Sequence, residues 1–177
     1  VSYWSCHMSP DATAREAELA AAKGFRIHKL KAFPEDVVQQ VDAVTRATAG
    51  IEYAIRLDAE GKFRTVAETV KLARQLEPYN IDCFENPVAW RNLSWYTLLR
   101  QKVDIPQALH LTDPQVVLNA VQVEAADLFN LSGNVEVFKK AAAIAEIAGC
   151  PIWLQTGGLC LGIQTAFSAH LQATLHN

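Results

Sequence analysis

The chain has 177 residues, half of them apolar and a fifth charged, with a net charge of −3. A chain of this length can bury a sizeable core and points to one domain. The acidic balance and the lack of any Lys/Arg block argue against a nucleic-acid surface, and no apolar run approaches the roughly 20 residues that span a bilayer. No signal-peptide pattern opens the chain. Cys6, Cys83, Cys150 and Cys160 show no ligand spacing, so they read as free thiols in a reducing, cytoplasmic setting.

In chain order, residues 1–6 alternate apolar and polar and predict a strand. Ser9-Pro10-Asp11 then supplies a cap and a first-turn proline for a helix over 11–23, which Gly24 stops. A strand is predicted over 25–31, and Pro34-Glu35-Asp36 opens a helix that runs to Gly50. Strand 51–58 leads through Glu60-Gly61 into a helix over 63–77. Strand 81–85 ends at Asn86-Pro87, and an aromatic-rich helix covers 91–102.

The second half repeats the scheme. Strand 105–110 is followed by Thr112-Asp113-Pro114 and a helix to 124. Strand 126–131 ends at Ser132-Gly133-Asn134 before a helix over 135–148. Strand 151–155 ends at Gln155-Thr156-Gly157-Gly158, and a last helix covers 161–175. Strand ends fall at His7, Lys31, Asp58, Glu85, His110, Ser132 and Gln155, spaced by 24, 27, 27, 25, 22 and 23 residues.

Strict alternation at this pitch predicts parallel βαβ units in an α/β protein. No GxGxxG follows a strand, and polar residues end nearly every unit, which favours a TIM-type barrel over an open dinucleotide-binding sheet. Parity agrees. If Asp58 points inward, so does Arg56, while Tyr53, Ile55 and Leu57 face the helices. Strand 81–85 breaks that rule, because Asp82 would share a face with Phe84. The expected fold is one barrel domain over 1–177 that lacks its final strand. The chain begins at Val1 without Met and ends straight after a helix, so it is expected to be a fragment of a longer protein.

Lys29 and Lys31 are two apart and project from one face. Two ammonium groups that close depress each other's pKa, and a nearby cation depresses it further, which is how a lysine becomes a base near neutral pH. A bare Lys-x-Lys by itself reads as two solvated lysines at a strand end and carries no signal. Asp58 and Glu85 are hard oxygen donors of the kind Mg²⁺ prefers, although alone each also reads as a helix cap or a turn. The pattern becomes specific only when Lys, Asp and Glu are in register through three repeats.

Lys29-Leu30-Lys31, Leu57-Asp58-Ala59-Glu60-Gly61, Phe84-Glu85-Asn86-Pro87 and Ile105-Pro106-Gln107-Ala108-Leu109 together resemble the barrel domain of the enolase superfamily. The closest branch is the mandelate racemase and muconate lactonizing enzyme group, and the resemblance extends over the chain to Gly162-Ile163-Gln164-Thr165-Ala166-Phe167. It implies a (β/α)7β barrel that binds Mg²⁺ through acidic residues on strands three, four and five. It also implies abstraction of a proton α to the carboxylate of a small substrate. Lys31 maps to the base and Lys29 to its supporting neighbour; Asp58 and Glu85 map to metal ligands.

Four positions depart from the family pattern. Glu60 stands where Asn is expected. His110 is the candidate third ligand, which would suit Mn²⁺ or another transition metal better than Mg²⁺; hydrogen bonding at the rim is the other reading of this residue. Ser132 and Gln155 stand where other members carry a second base, and with His7 they are candidate substrate contacts. With one base, the expected reaction is dehydration of a sugar acid or related hydroxy acid. Racemisation or cycloisomerisation, and a catalytically degenerate barrel with a binding or structural role, are the alternatives. No nucleic-acid or membrane partner is expected, and the full-length protein is expected to be a homo-oligomer.

Overall fold

A computed structural model describes residues 2–155 and 162–175. The chain forms two compact units, Val1–Pro106 and Gln107–Asn177. Among the described residues seven parallel strands alternate with seven helices, the α/β order that the repeats predict. None of these helices is long and apolar enough to cross a membrane.

The first unit contains β1 (Tyr3–Ser5), α1 (Pro10–Ala22), β2 (Ile27–Lys31), α2 (Val37–Ala47), β3 (Ala54–Asp58), α3 (Val66–Leu76), β4 (Ile81–Glu85) and α4 (Leu93–Arg100). Its strands pair in chain order. Side chains alternate across them as predicted. Leu30, Tyr53, Ile55, Leu57 and Phe84 are buried in one core with Val37, Val41 and Val44 of α2 and Leu72, Ala73 and Leu76 of α3. That leaves Lys29, Lys31, Arg56, Asp58, Cys83 and Glu85 on the other face, in register: Lys29 pairs with Arg56, Lys31 with Asp58, Arg56 with Cys83, and Asp58 with Glu85.

The apparent fault at Asp82 is a bulge. Ile55 pairs with Ile81 and Arg56 with Cys83, so Asp82 is skipped. An extra residue re-aims its side chain, and Asp82 accepts a 2.7 Å hydrogen bond from Arg56 Nε. Phe84 thereby keeps its place in the core, where its ring meets Phe63 edge-on at 5.5 Å.

Two helices start later than composition predicts. Residues Phe33–Asp36 make a turn, and the Asp36 carboxylate meets His7 and Gln40 and does not cap α2. Before α3, Arg64 adopts a left-handed backbone (φ 65), which no helix accommodates, and Phe63 is buried. Thr65 then caps α3, its Oγ1 accepting from Glu68 N at 3.2 Å. Ser9 caps α1 as predicted, accepting from Ala12 N.

The second unit contains β5 (Gln107–Leu111), α5 (Pro114–Gln122), β6 (Leu128–Leu131), α6 (Val135–Ile147), β7 (Ile152–Leu154) and α7 (Gly162–Gln172). Asp113 caps α5 and Asn134 caps α6. Leu109, Leu111, Phe129, Leu131 and Ile152 are buried on one face of its strands. Cys6, Cys83 and Cys150 are free thiols; Cys160 lies outside the described residues.

Candidate active site

The loops that follow β3 and β4 are joined by backbone hydrogen bonds. Ala59 N donates to Glu85 O at 3.0 Å, Gly61 N to Asn86 O at 2.7 Å, and Phe63 N to Pro87 O at 3.0 Å. Glu60 and Asn86 take left-handed φ values of 48° and 44° to make these turns. The C-terminal ends of β2, β3 and β4 are therefore held side by side, with their inward charges in contact.

Those charges form an alternating chain. Lys29 Nζ lies 2.7 Å from Glu85 Oε2 and 3.2 Å from Asp58 Oδ2. Lys31 Nζ donates to Asp58 Oδ2 at 2.8 Å and also bonds Glu60. Lys62 Nζ lies 3.0 Å from the second oxygen of Glu60. Three cations thus alternate with three anions. Lys29, Asp58 and Glu85 are buried, with side-chain exposures of 6%, 6% and 1%, whereas Lys31 is 24% exposed. Ions taken out of water persist only when paired this closely.

Burial pushes the Lys31 ammonium down, but its hydrogen bonds to Asp58 and Glu60 outweigh that and hold its pKa above the ordinary lysine value. The sequence pattern alone suggested depression by Lys29; the two carboxylates reverse the sign. The hydrogen bond from Lys31, followed by that from Lys62, brings Glu60 down to about 2. Beneath Glu85, burial pushes the Cys83 thiol well up, so it is not a thiolate nucleophile at neutral pH.

Asp58 and Glu85 meet the chemistry of a hard divalent cation: both are buried carboxylates, opposite one another in register and turned to one cationic centre. They fit such an ion at two positions. Among the described residues no group of three His, Cys, Asp or Glu side chains is gathered that could hold a metal.

In the second unit His110 pairs with Asn130 in register, and its Nε2 lies 2.9 Å from Ser132 Oγ. Asn130 donates to Gln155 Oε1 at 2.8 Å. The polar residues ending β5, β6 and β7 therefore share one face, as parity predicts. His7 stands apart from the lysines: its Nε2 is 2.8 Å from Asp36 Oδ2, and its ring packs on Phe33 at 4.4 Å. His28 is buried on the helix side between Ser5 Oγ (2.9 Å) and Tyr53 OH (3.2 Å), and burial brings it down to about 4.

Sequence reasoning missed Glu60 and Lys62 as members of the charge chain. Glu60 sits two residues beyond Asp58, the same step that separates Lys29 from Lys31, and that repeat was the available signal.

The first unit is thus a parallel α/β scaffold that carries an alternating Lys/carboxylate cluster at its strand ends, buried at Lys29, Asp58 and Glu85. The comparisons give the family. Residues 12–177 match the model of the family described as Enolase C-terminal domain-like, and the chain belongs to it. It is 31% identical over 149 residues to the N-succinyl-L-Arg/Lys racemase of Bacillus cereus, a match covering 79% of this chain and 40% of the racemase. A D-galactonate dehydratase family member from Paenibacillus sp. is 28% identical over 119 residues, covering 64% of this chain and 29% of that protein. The chain spans less than half the length of these curated relatives. Among solved structures, the dipeptide epimerase of Enterococcus faecalis complexed with Mg and the dipeptide L-Leu-L-Tyr superposes with a TM-score of 0.90 at 26% identity, over 97% of this chain and 50% of that one.

Proposed function

We propose that this chain abstracts a proton α to a substrate carboxylate, with Lys31 as base and Lys29 as its supporting neighbour, in the dehydration of a sugar acid or related hydroxy acid. The observation that carries the reading is the contact of Lys29, Lys31, Asp58 and Glu85 at the ends of three adjacent strands. A (β/α)7β barrel domain is the frame we propose for it, supported by the superposition on the epimerase.

Lys31 takes the proton only as the neutral amine, so the rate rises with pH through its pKa. The ammonium then formed can return the proton to the departing β-hydroxyl as water, and the enol left behind tautomerises to a 2-keto acid. Lys29, held between two carboxylates, orients an incoming carboxylate. Asp58 and Glu85 would hold a divalent cation, Mg²⁺ by their oxygen chemistry, which when bound supplies electrostatic stabilisation of the enolate. We propose His7, at the end of β1 in the same unit, as a substrate contact.

A second reading, proton transfer without loss of water, is favoured by the match to the racemase. One experiment separates the readings. Candidate acids are incubated in D₂O with Mg²⁺ or Mn²⁺, and α-deuterium and 2-keto acid are followed together. Keto acid supports dehydration, whereas exchange with racemisation and no keto acid supports the second reading. Exchange that survives Lys31→Ala removes Lys31 as base. No exchange with any acid supports a non-catalytic relative.

A further inference from the structure

The loops that follow β1 and β2 carry a dyad outside the strand-end charge chain. His7 Nε2 lies 2.8 Å from Asp36 Oδ2, and the His7 side chain is 40% exposed. Resting on the dehydration reading above, we propose that His7 is the general acid that protonates the departing β-hydroxyl, in place of the Lys31 ammonium. Asp36 is its positioning residue.

The dyad is fixed from behind. Gln40, buried on α2, donates to Asp36 Oδ2 at 3.1 Å and to Met8 O at 2.6 Å, and accepts from Thr13 Oγ1 at 2.6 Å. Asp36 Oδ1 is buried without a partner, so His7 and Gln40 are the groups that offset this carboxylate. A carboxylate held on one imidazole nitrogen orients the ring and leaves the other nitrogen to transfer protons. Here that nitrogen is Nδ1, which has no hydrogen-bond partner among the described residues.

The dyad also stands next to the base. Ser5 pairs with Leu30, so the chain reaches His7 just beyond the level of Lys31. The His7 ring lies 4.4 Å from that of Phe33, and Lys62 Nζ stands 4.8 Å from the same Phe33 ring. Lys62 in turn holds Glu60, the partner of Lys31. One aromatic ring therefore separates the dyad from the charge chain; Asp36, and Lys62 across Phe33, are the charged groups that face the imidazole. A lysine that serves both steps must reach the α-proton and the β-oxygen in turn, and the Lys31 ammonium is held by Asp58 and Glu60. With a separate acid, Lys31 takes the α-proton and the bond from the β-carbon to oxygen breaks as the His7 imidazolium passes its proton to that oxygen. Water departs, the enol tautomerises to the 2-keto acid, and solvent restores the protons on both side chains.

The test follows α-deuterium and keto acid in D₂O for the 177-residue chain with D-galactonate, D-gluconate and D-mannonate, and with their 3-fluoro analogues. His7→Asn should slow keto-acid formation from the hydroxy acids by about 100-fold, the lower range for loss of a general acid, while α-deuterium still enters. It should process the fluoro analogues as the wild type does, because fluoride leaves without a proton. Added imidazole should restore part of the activity of His7→Ala, since the ring it replaces is exposed. Asp36→Asn should lower kcat with KM unchanged. The assignment is overturned if His7→Asn forms keto acid at the wild-type rate, if it loses exchange and elimination together, or if imidazole restores nothing. Keto acid that depends on Lys31 and not on His7 removes His7 alone and leaves the dehydration reading standing. No keto acid from the wild type with any of these acids sinks that reading and this assignment with it.

Discussion

Lys29→Met tests whether the strand-end carboxylates are truly desolvated. The substitution keeps the length of the side chain and removes its charge, so Asp58 and Glu85, both buried, lose the ammonium 3.2 and 2.7 Å away. Breaking a buried ion pair from one side costs about 3–5 kcal/mol, because a buried charge is left uncompensated. Lys31 still contacts Asp58, so Glu85 carries most of the penalty. Urea denaturation at pH 7 measures the loss. The double variant Lys29→Met/Glu85→Gln should recover part of it, since removing the second charge removes the orphan. Mg²⁺ should stabilise the variant by more than the wild type, because Lys29 no longer competes for the two carboxylates; a cation at 100 times its Kd adds about 2.7 kcal/mol. A loss below about 1 kcal/mol, the range of solvated surface pairs, would refute the desolvated picture. Equal stabilisation of both forms by Mg²⁺ would argue against Asp58 and Glu85 as its ligands.

Further outcomes follow from individual contacts. Acidification should destabilise the protein through His28, whose pKa falls from 6.5 unfolded to about 4 folded. The unfolded state binds the extra proton, so stability drops from about pH 6.5 downward and the loss levels off below about pH 4, at roughly 3 kcal/mol. In His28→Gln the pH slope of urea midpoints should flatten in that window, and an unchanged slope would remove His28 as its source. Glu60→Gln takes one carboxylate from Lys31, so the rising limb of α-proton exchange should move to lower pH; an unmoved limb would uncouple Glu60 from the base. Gly133→Ala forces a Cβ to within 2.8 Å of Val137 Cγ1 at a φ of 140°, and should cost about 1–3 kcal/mol by strain. Val137→Ala in the same chain should restore the steric part of that loss in a thermal melt. Asp58→Asn should weaken Mg²⁺ or Mn²⁺ binding by calorimetry, and unaltered affinity would place any cation elsewhere.

Much of this protein was already determined by local sequence. The βα order, the caps at Ser9, Asp113 and Asn134, and the facing of Tyr53, Ile55 and Leu57 toward the helices follow from short-range rules, since strand alternation and capping depend only on near neighbours. The projection of Lys29 and Lys31 from one face, and their register with Asp58 and Glu85, followed from the same alternation and the 27-residue repeat. Tertiary structure decided the rest. Skipping Asp82 requires Arg56 on the neighbouring strand, and the late start of α3 depends on Phe63 reaching Phe84. The sign of the Lys31 shift was likewise settled in three dimensions: whether a lysine is pushed down by another lysine or held up by carboxylates depends on which group lies within hydrogen-bond distance. That distance is set by the loops joining β3 to β4, whose Glu60 turns back onto Lys31 through a left-handed backbone that nothing in its neighbours' composition announces.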